Sequence, residues 1–590
     1  MSAEVRRRSA RRLDAPLVAV LERRGRFLVA EPLFGHGPRT AVERGGADAG
    51  DLVLVGAGKR GACVVRRLGR PDVARDVLEA LMLDRGLHRS YGRAASAEAE
   101  GAVADPFAAG ARVDLRELPT FTIDPDDARD FDDAISARRE DGHVRVWVHI
   151  ADVTAYVRPG GPLEREAFRR GTSVYVPGAV EPMLPESLSN RACSLRPGEE
   201  KLAVTVELEL HGAEARKVAF HRSRVRSDRR LTYREVDAIF AGRSRAEEPW
   251  AAPLAAAREV ARALREKRSA LELGAPEPVF EFDGEGHVVG VRHEQQTESH
   301  GLVEQLMILA NEQVATYLAE GRLPTLYRVH ERPEPDSVAF LVEQLASLDV
   351  PTPPVPRHMS PQQAAELSAE VSRVVAREAR GRRALGFLVL RSLKQALYSR
   401  RNLGHAGLGS ARYCHFTSPI RRYPDVVAHR ALLQGLGIDH AAPPSHELDE
   451  AGVASSTTER EAMRIERAAD DVCLAFLLER RLAEANNGEQ PTGQAARGSG
   501  GASPRLASFE GEVVGLIPKG AFVRFGEEGF EGLLPSRRLR GWWDLNELGT
   551  ALVAEGSGRE LRLGDAVEVV VERIETARGR VDLAPAESYG

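Results

Sequence analysis

The chain has 590 residues, 43% hydrophobic and 29% charged, the balance of a folded soluble protein and enough for roughly three to five domains. Its 82 Lys and Arg against 87 Asp and Glu leave a net charge of −5, so any phosphate binding must come from local groups and not from a generally basic surface. Four scattered cysteines without a C-x-x-C pair exclude a disulfide scaffold and a cysteine zinc site, and neither a membrane span nor a signal-peptide core is visible, which points to the cytoplasm.

Residues 1–12 read as a short basic arm, expected to be disordered. Over 13–70, short β-rich runs (LVAVL, RFLVA, DLVLVG, ACVVRRL) separated by Gly-containing turns predict a small antiparallel barrel. Residues 71–112 start with the helical pattern VARDVLEALML and pass into an Ala/Gly/Glu stretch that reads as a connector. From 113 to 485, strands (VRVWVHIADV, LAVTVELEL) mix with helices; Leu302, Leu306 and Leu309 have the spacing of an amphipathic helix, and helical patterns dominate from Pro361 to Ala485. Residues 486–507, rich in Gly, Ser, Pro and Asn, read as a flexible linker, and 508–590 predict a second five-stranded barrel of the OB type. The fold class expected is multidomain α+β, with a central mixed α/β unit flanked by OB barrels.

The segment FTIDPDDARDFDDAIS holds six aspartates in the ten residues from Asp124 to Asp133. So many carboxylates stay ionised together at neutral pH only if something positive joins them. Hard oxygen ligands at this density suit Mg²⁺ or Mn²⁺, and such an ion can polarise a phosphoryl oxygen and activate water. An EF-hand loop starting at Asp124 fails, because its glycine and glutamate positions hold Arg129 and Ile135. A solvated acidic turn and an Asp-x-Asp phosphatase-like site (Asp130-Phe131-Asp132) stay open on these residues alone.

HFTSPIRRYPDVVAHR sets Arg421 and Arg422 directly after a Pro-Ile turn, where a guanidinium can grip phosphate; the bland alternative is an arginine locked to Asp425. Tyr175 could stack on a base, although a lone strand tyrosine is more often core, as are Phe280 and Phe282. His149 and His330 read as structural. The arginines of RSRVRSDRR (Arg222 to Arg230), and Lys394, Arg400 and Arg401, are more often solvated faces than binding sites.

Taken together, RVDLRELPTFTIDPDDARDFDDA, HIADVTAYV, RGTSVYVPGAVEPMLPESLSNRACSL, LVEQLMILAN, LYRVHERP, LRSLKQALYS, HFTSPIRRYPD and ELRLGDAVEVVVERI resemble, in order, the ribonuclease R / ribonuclease II family, nearer to the R branch. The resemblance implies a central RNB catalytic domain (113–485) between a cold-shock-like barrel and an S1 RNA-binding domain. It further implies processive 3′→5′ hydrolysis of single-stranded RNA to nucleoside 5′-monophosphates by a magnesium-dependent monomer. By position, Asp124, Asp130, Asp132 and Asp133 match the metal-binding, water-activating acids. Arg421 matches the arginine at the scissile phosphate and Tyr175 the aromatic that stacks on the terminal nucleotide; Arg422, read from its place in the paired-arginine turn, is expected as a further RNA contact. Departures are a single N-terminal barrel, no lysine-rich C-terminal tail, Ala406 where the family favours an aromatic, and the apparent insertion at 486–507. The family glutamate after the Arg motif has three candidates here, Glu459, Glu461 and Glu466.

Overall fold

The computed structural model describes residues 16–35, 37–43, 46–58, 61–88, 90–106, 111–268, 276–378, 381–438, 445–488 and 508–586. The basic arm and nearly all of the expected linker lie outside the described residues. No helix among the described residues is long and apolar enough to cross a membrane.

Five strands, β1 (Leu17–Arg24), β2 (Phe27–Pro32), β3 (Thr40–Glu43), β4 (Leu52–Ala57) and β5 (Ala62–Gly69), close into a barrel in the order β1-β2-β3-β5-β4. Alternation turns Ala19, Leu21, Ala30, Val53 and Val55 inward. Helices α1 (Ala74–Asp84) and α2 (Arg93–Ala104) follow. The Ala-rich stretch expected to be a connector is therefore α2: alanine is the best helix former, and Ala95 and Ala99 are buried in a cluster shared with Leu163.

The central domain is built on a seven-stranded sheet. Its strands are β6 (Val113–Asp114), β7 (Phe121–Asp124), β8 (Asp133–Glu140) and β9 (His143–Ala151), then, after α3 (Pro162–Arg170) and the small hairpin β10 (Val174–Val176) and β11 (Ala179–Glu181), β12 (Glu200–His211), β13 (Glu214–Arg226) and β14 (Arg229–Thr232). The order is β14-β7-β8-β9-β12-β13-β6. Covered on both faces, β9 and β12 read as nearly continuous apolar runs. Helices α4 (Tyr233–Phe240) and α5 (Ala251–Lys267), hairpin β15 (Glu277–Phe282) and β16 (Val288–Glu294), and α6 (Glu298–Glu320) come next. Val146, Val148, Val204 and Val206 of the sheet share one core with Leu254 and Val260 of α5 and Leu306 and Leu309 of α6.

Strand β17 (Tyr327–Val329), helices α7 (Pro335–Ser347), α8 (Pro361–Val375) and α9 (Arg382–Ser392), β18 (Leu397–Ser399), α10 (Tyr423–Gly435) and the 44-residue α11 (Ser445–Gly488) complete the domain. A second closed barrel, ordered β19-β20-β21-β26-β25, comprises β19 (Ser508–Ile517), β20 (Gly520–Phe525), β21 (Phe530–Pro535), β25 (Ala566–Glu575) and β26 (Arg580–Pro585). A small sheet of β22 (Trp543–Leu545), β23 (Ala551–Ala554) and β24 (Glu560–Arg562) interrupts it.

Backbone-to-backbone approaches seat this barrel. A Cβ on Gly564 would lie 2.8 Å from the Cα of Gly381, just before α9, and one on Gly579 would lie 2.7 Å from the Cβ of Asp471 on α11. Both glycines have φ values, 81° and 61°, that side chains resist. Arg578 Nε donates to Leu33 O of the first barrel at 2.6 Å, so the two barrels touch.

Candidate active site

The aspartates sit where two adjacent strands turn over. β7 ends on Asp124 and β8 begins on Asp133, the pair registering through Phe121 and Ile135, with the acidic loop between them. Buried Phe131 anchors that loop: its N–H donates to Ser194 Oγ at 3.0 Å, and Ser194 Oγ donates in turn to Arg129 O at 2.9 Å. Ala151 N–H donates to Asp132 O at 2.8 Å, tying the loop to the end of β9.

The arginine motif meets this loop from the other half of the chain. Ser418 N–H donates to Asp425 Oδ1 (2.8 Å) at the start of α10, which fixes the Ser418–Arg421 turn. The next backbone donor, Ile420 N–H, reaches Asp132 Oδ1 at 2.8 Å across 288 residues of sequence. Arg421 Nε lies 3.5 Å from Asp132 Oδ2, and its Nη2 donates to Ser418 Oγ at 3.0 Å. Arg422 is partly buried and paired with Asp425 at 2.8 Å. The arginine locked to Asp425 is thus the second of the pair, and Arg421 faces the acids.

Burial dominates the electrostatics. It pushes Asp124 up to about 7, with Asp133 adding repulsion, and Asp133 up to about 6 against the pull of Arg421. Asp132, 5% exposed, is pushed well above the ordinary range, again by burial first, with Arg421 opposing. Asp124 Oδ2 is buried without a hydrogen-bond partner, an expensive arrangement unless something positive fills it. Among the described residues no three acidic, His or Cys side chains form a ready-made cage. A hard divalent cation that keeps waters and takes one or two carboxylates plus substrate phosphates does not need such a cage. The donor set, all carboxylate oxygen, and the orphaned Asp124 Oδ2 fit such an ion.

Tyr175, on the hairpin β10–β11, is 38% exposed. Its hydroxyl donates to Asp130 Oδ2 and its N–H to Glu466 Oε1 of α11, both at 2.9 Å. Of the three candidate glutamates, Glu459 pairs with Arg328 and Glu461 with Arg464; Glu466 is the one bonded to Tyr175. Sequence reasoning also missed Tyr233, whose hydroxyl is pushed upward by burial and by Asp133 and Asp124.

Asp130, Tyr175, Arg421 and Glu466 line a cavity of about 3900 Å³ that runs past β15–β16 and α9 to Phe522 and Arg524 of the second barrel. Phe280 lines it too, whereas His149 is buried between Ser136 and Thr205. Each arginine of the RSRVRSDRR cluster is occupied within the protein: Arg222 by Asp152, Arg224 by Glu200, Arg226 by Glu117, Arg229 by Glu235 and Arg230 by Pro125 O. By contrast Arg129, Arg292, Arg382 and Arg391 line the cavity and make no hydrogen bond or ion pair among the described residues, while Arg383 and Arg467, which line it too, oppose the upward push of burial on the Glu531 carboxyl.

The family model for the RNB domain matches residues 112–437, and that for the S1 RNA binding domain matches 507–584. The chain is 34% identical over 498 residues to ribonuclease R of Escherichia coli, covering 80% of this chain and 57% of that protein. It is 34% identical over 486 residues to ribonuclease R of Aquifex aeolicus, covering 80% and 64%. The chain thus spans about three fifths of the length of these relatives. Among solved structures, Mycoplasma genitalium RNase R in complex with ribose methylated single-stranded RNA superposes with a TM-score of 0.81 at 22% identity, over 97% of this chain and 90% of that one. Yeast Ssd1, a pseudonuclease, superposes at 0.63 with 16% identity, over 91% and 67%.

Proposed function

The chain belongs to the RNB domain family, and from that premise we propose that it is a divalent-metal-dependent exoribonuclease, shortening single-stranded RNA from the 3′ end to nucleoside 5′-monophosphates. The observation that carries this reading is the convergence of Asp132 and Asp133 on Arg421, with Asp124 beside Asp133, next to a cavity that Asp130 and Arg421 line. The pseudonuclease Ssd1 shares the fold, so the fold alone does not carry it.

Asp124, Asp132 and Asp133, with Asp130 at the rim, would hold Mg²⁺, Mn²⁺ sharing the same oxygen chemistry. When bound, the ion supplies activated water and a counter-charge for the phosphoryl oxygens. Arg421 needs only to leave its long contact with Asp132 to meet a phosphate, and a guanidinium there offsets charge that grows in the transition state. Asp132, fixed by Ile420 N–H, keeps that arginine in range. Tyr175, held at backbone and hydroxyl, offers its ring to the terminal base and sets the step at one nucleotide. Arg292, Arg382 and Arg391, which line the cavity without an ion pair among the described residues, are the groups that would meet the phosphates of the strand.

The test is a 5′-labelled RNA incubated with Mg²⁺ or with chelator. Progressive shortening of the labelled strand, release of 5′-monophosphates and full dependence on the ion are expected. Equal cleavage after stripping divalent ions, or intact RNA when they are supplied, overturns the reading.

A further inference from the structure

We propose that helix α9 carries a nucleotide subsite for the incoming strand, in which a base stacks on Phe387 while Arg383 and Arg391 grip the flanking phosphates. The proposal rests on the reading of the cavity as an RNA path and adds a station to it.

Helix α9 has two unlike faces. Ala384, Leu385, Leu388 and Val389 are buried against the domain, whereas Phe387 and Leu390 are 51% and 49% exposed and open onto the cavity. A core does not need them, and two large apolar side chains side by side on a wet wall mark a binding surface. Arg383 and Arg391 stand one turn before and one turn after Phe387, on the same face of the helix. Neither makes a hydrogen bond or ion pair among the described residues, and RRALGFLVLRS contains no acid to neutralise them. An aromatic ring flanked by guanidiniums, Arg391 unpaired and Arg383 within electrostatic reach of Glu531, is complementary to a base with phosphates on either side.

Gly386 is the independent observation. A glycine inside a helix costs roughly 0.5–1 kcal/mol relative to alanine, yet a Cβ there would meet nothing within 4 Å. Packing within the protein therefore does not require it. Its bare backbone faces the cavity beside Phe387 and leaves a notch in which a flat base can reach the ring. The Gly381–Gly564 contact fixes the start of α9 against the second barrel, so this station keeps a constant distance from Phe522 and Arg524.

The experiment measures, by anisotropy, binding of an RNA ladder sharing one 3′ end to full-length protein carrying Asp132→Asn, which prevents turnover. Affinity is expected to climb in steps with length. Phe387→Ala should erase one step, weakening every RNA long enough to reach α9 by about tenfold. Phe387→Trp should restore that step and Phe387→Leu should not, which separates stacking from mere apolar contact. Arg391→Gln should reduce the slope of log affinity against log salt by about one phosphate contact. A step that survives Phe387→Ala, or that Leu restores as well as Trp, overturns the subsite. So does a change of sedimentation in Phe387→Ala with the ladder intact, which would make α9 a seat for a second copy of the chain. A parent protein that binds no RNA at all overturns the functional reading beneath it.

Discussion

Replacing Asp124 by Asn should stabilise the metal-free protein at alkaline pH and leave it behind once Mg²⁺ is added. Burial raises the Asp124 carboxyl from its ordinary 3.8 to about 7, so ionising it in the folded state costs about 4 kcal/mol more than in the unfolded chain. Repulsion shared with Asp133 and relaxation around the charge reduce the recoverable part to about 2 kcal/mol. A folded-state value above the unfolded one means that the native protein holds the extra proton. The stability it brings is therefore complete below 3.8 and lost as pH rises through about 7. Asn mimics the protonated acid, so its advantage should be full at pH 8, less than half as large at pH 5, and absent in stronger acid. At about 1–2 °C per kcal/mol for a domain of this size, Tm in chelator at pH 8 should rise by about 2–4 °C. Saturating Mg²⁺ should then invert the order, because an ion at a hundred times its Kd stabilises by about 2.7 kcal/mol and the variant lacks one of its oxygens. Scanning fluorimetry of both proteins at two pH values, with chelator and with Mg²⁺, checks all four arms. A variant less stable than the parent in chelator at pH 8, or an equal response of both to Mg²⁺, refutes the assignment of Asp124 as a buried carboxylate awaiting a cation.

Arg421→Lys keeps the charge but loses the planar fork; kcat on single-stranded RNA should fall by about 10²–10³ while RNA affinity changes by less than about threefold. A rise in KM with kcat intact would place Arg421 in binding only. Gly579→Val forces a β-branched side chain to φ 61° and drives its Cβ into Asp471, so the second barrel should lift from α11, visible as a larger radius of gyration in solution scattering and about tenfold weaker RNA binding. Unchanged scattering would show that this contact does not seat the barrel.

What could be read from the sequence followed from contiguity. The Asp run lies within ten residues and the Arg motif within one turn and the helix it opens, and both kept their chemistry visible in a single line of text. Barrel strands, with a period of two and glycine-marked turns, were equally local. Glu466 was not legible: it meets Tyr175 across 291 residues, and nothing in TTEREAMRIER separates it from Glu459 or Glu461. Charge clusters carried little information about the site. The cluster from Arg222 to Arg230 is absorbed by partners within the fold, whereas the cavity arginines without an ion pair among the described residues are scattered from Arg129 to Arg391. Pairing is a property of tertiary neighbours, and local density does not report it.

The same long-range convergence explains why the site needs so large a scaffold. Its acids and its arginine belong to separate halves of the chain, joined most directly by Ile420 N–H donating to Asp132 Oδ1. One side of that bond is fixed through the β7–β8 loop, Ser194 and Ala151, the other through Asp425 at the start of α10. Every anchor is backbone or buried, so neither half moves without breaking a paired interior group, at about 1–3 kcal/mol each. Reactive groups misplaced by about 1 Å lose on the order of 10² in rate, less tolerance than a surface loop provides. Placing Arg421 on a turn whose next residue, Arg422, is spent on Asp425 meets that demand: one arginine of the pair holds the geometry, and its neighbour is left free for the phosphate.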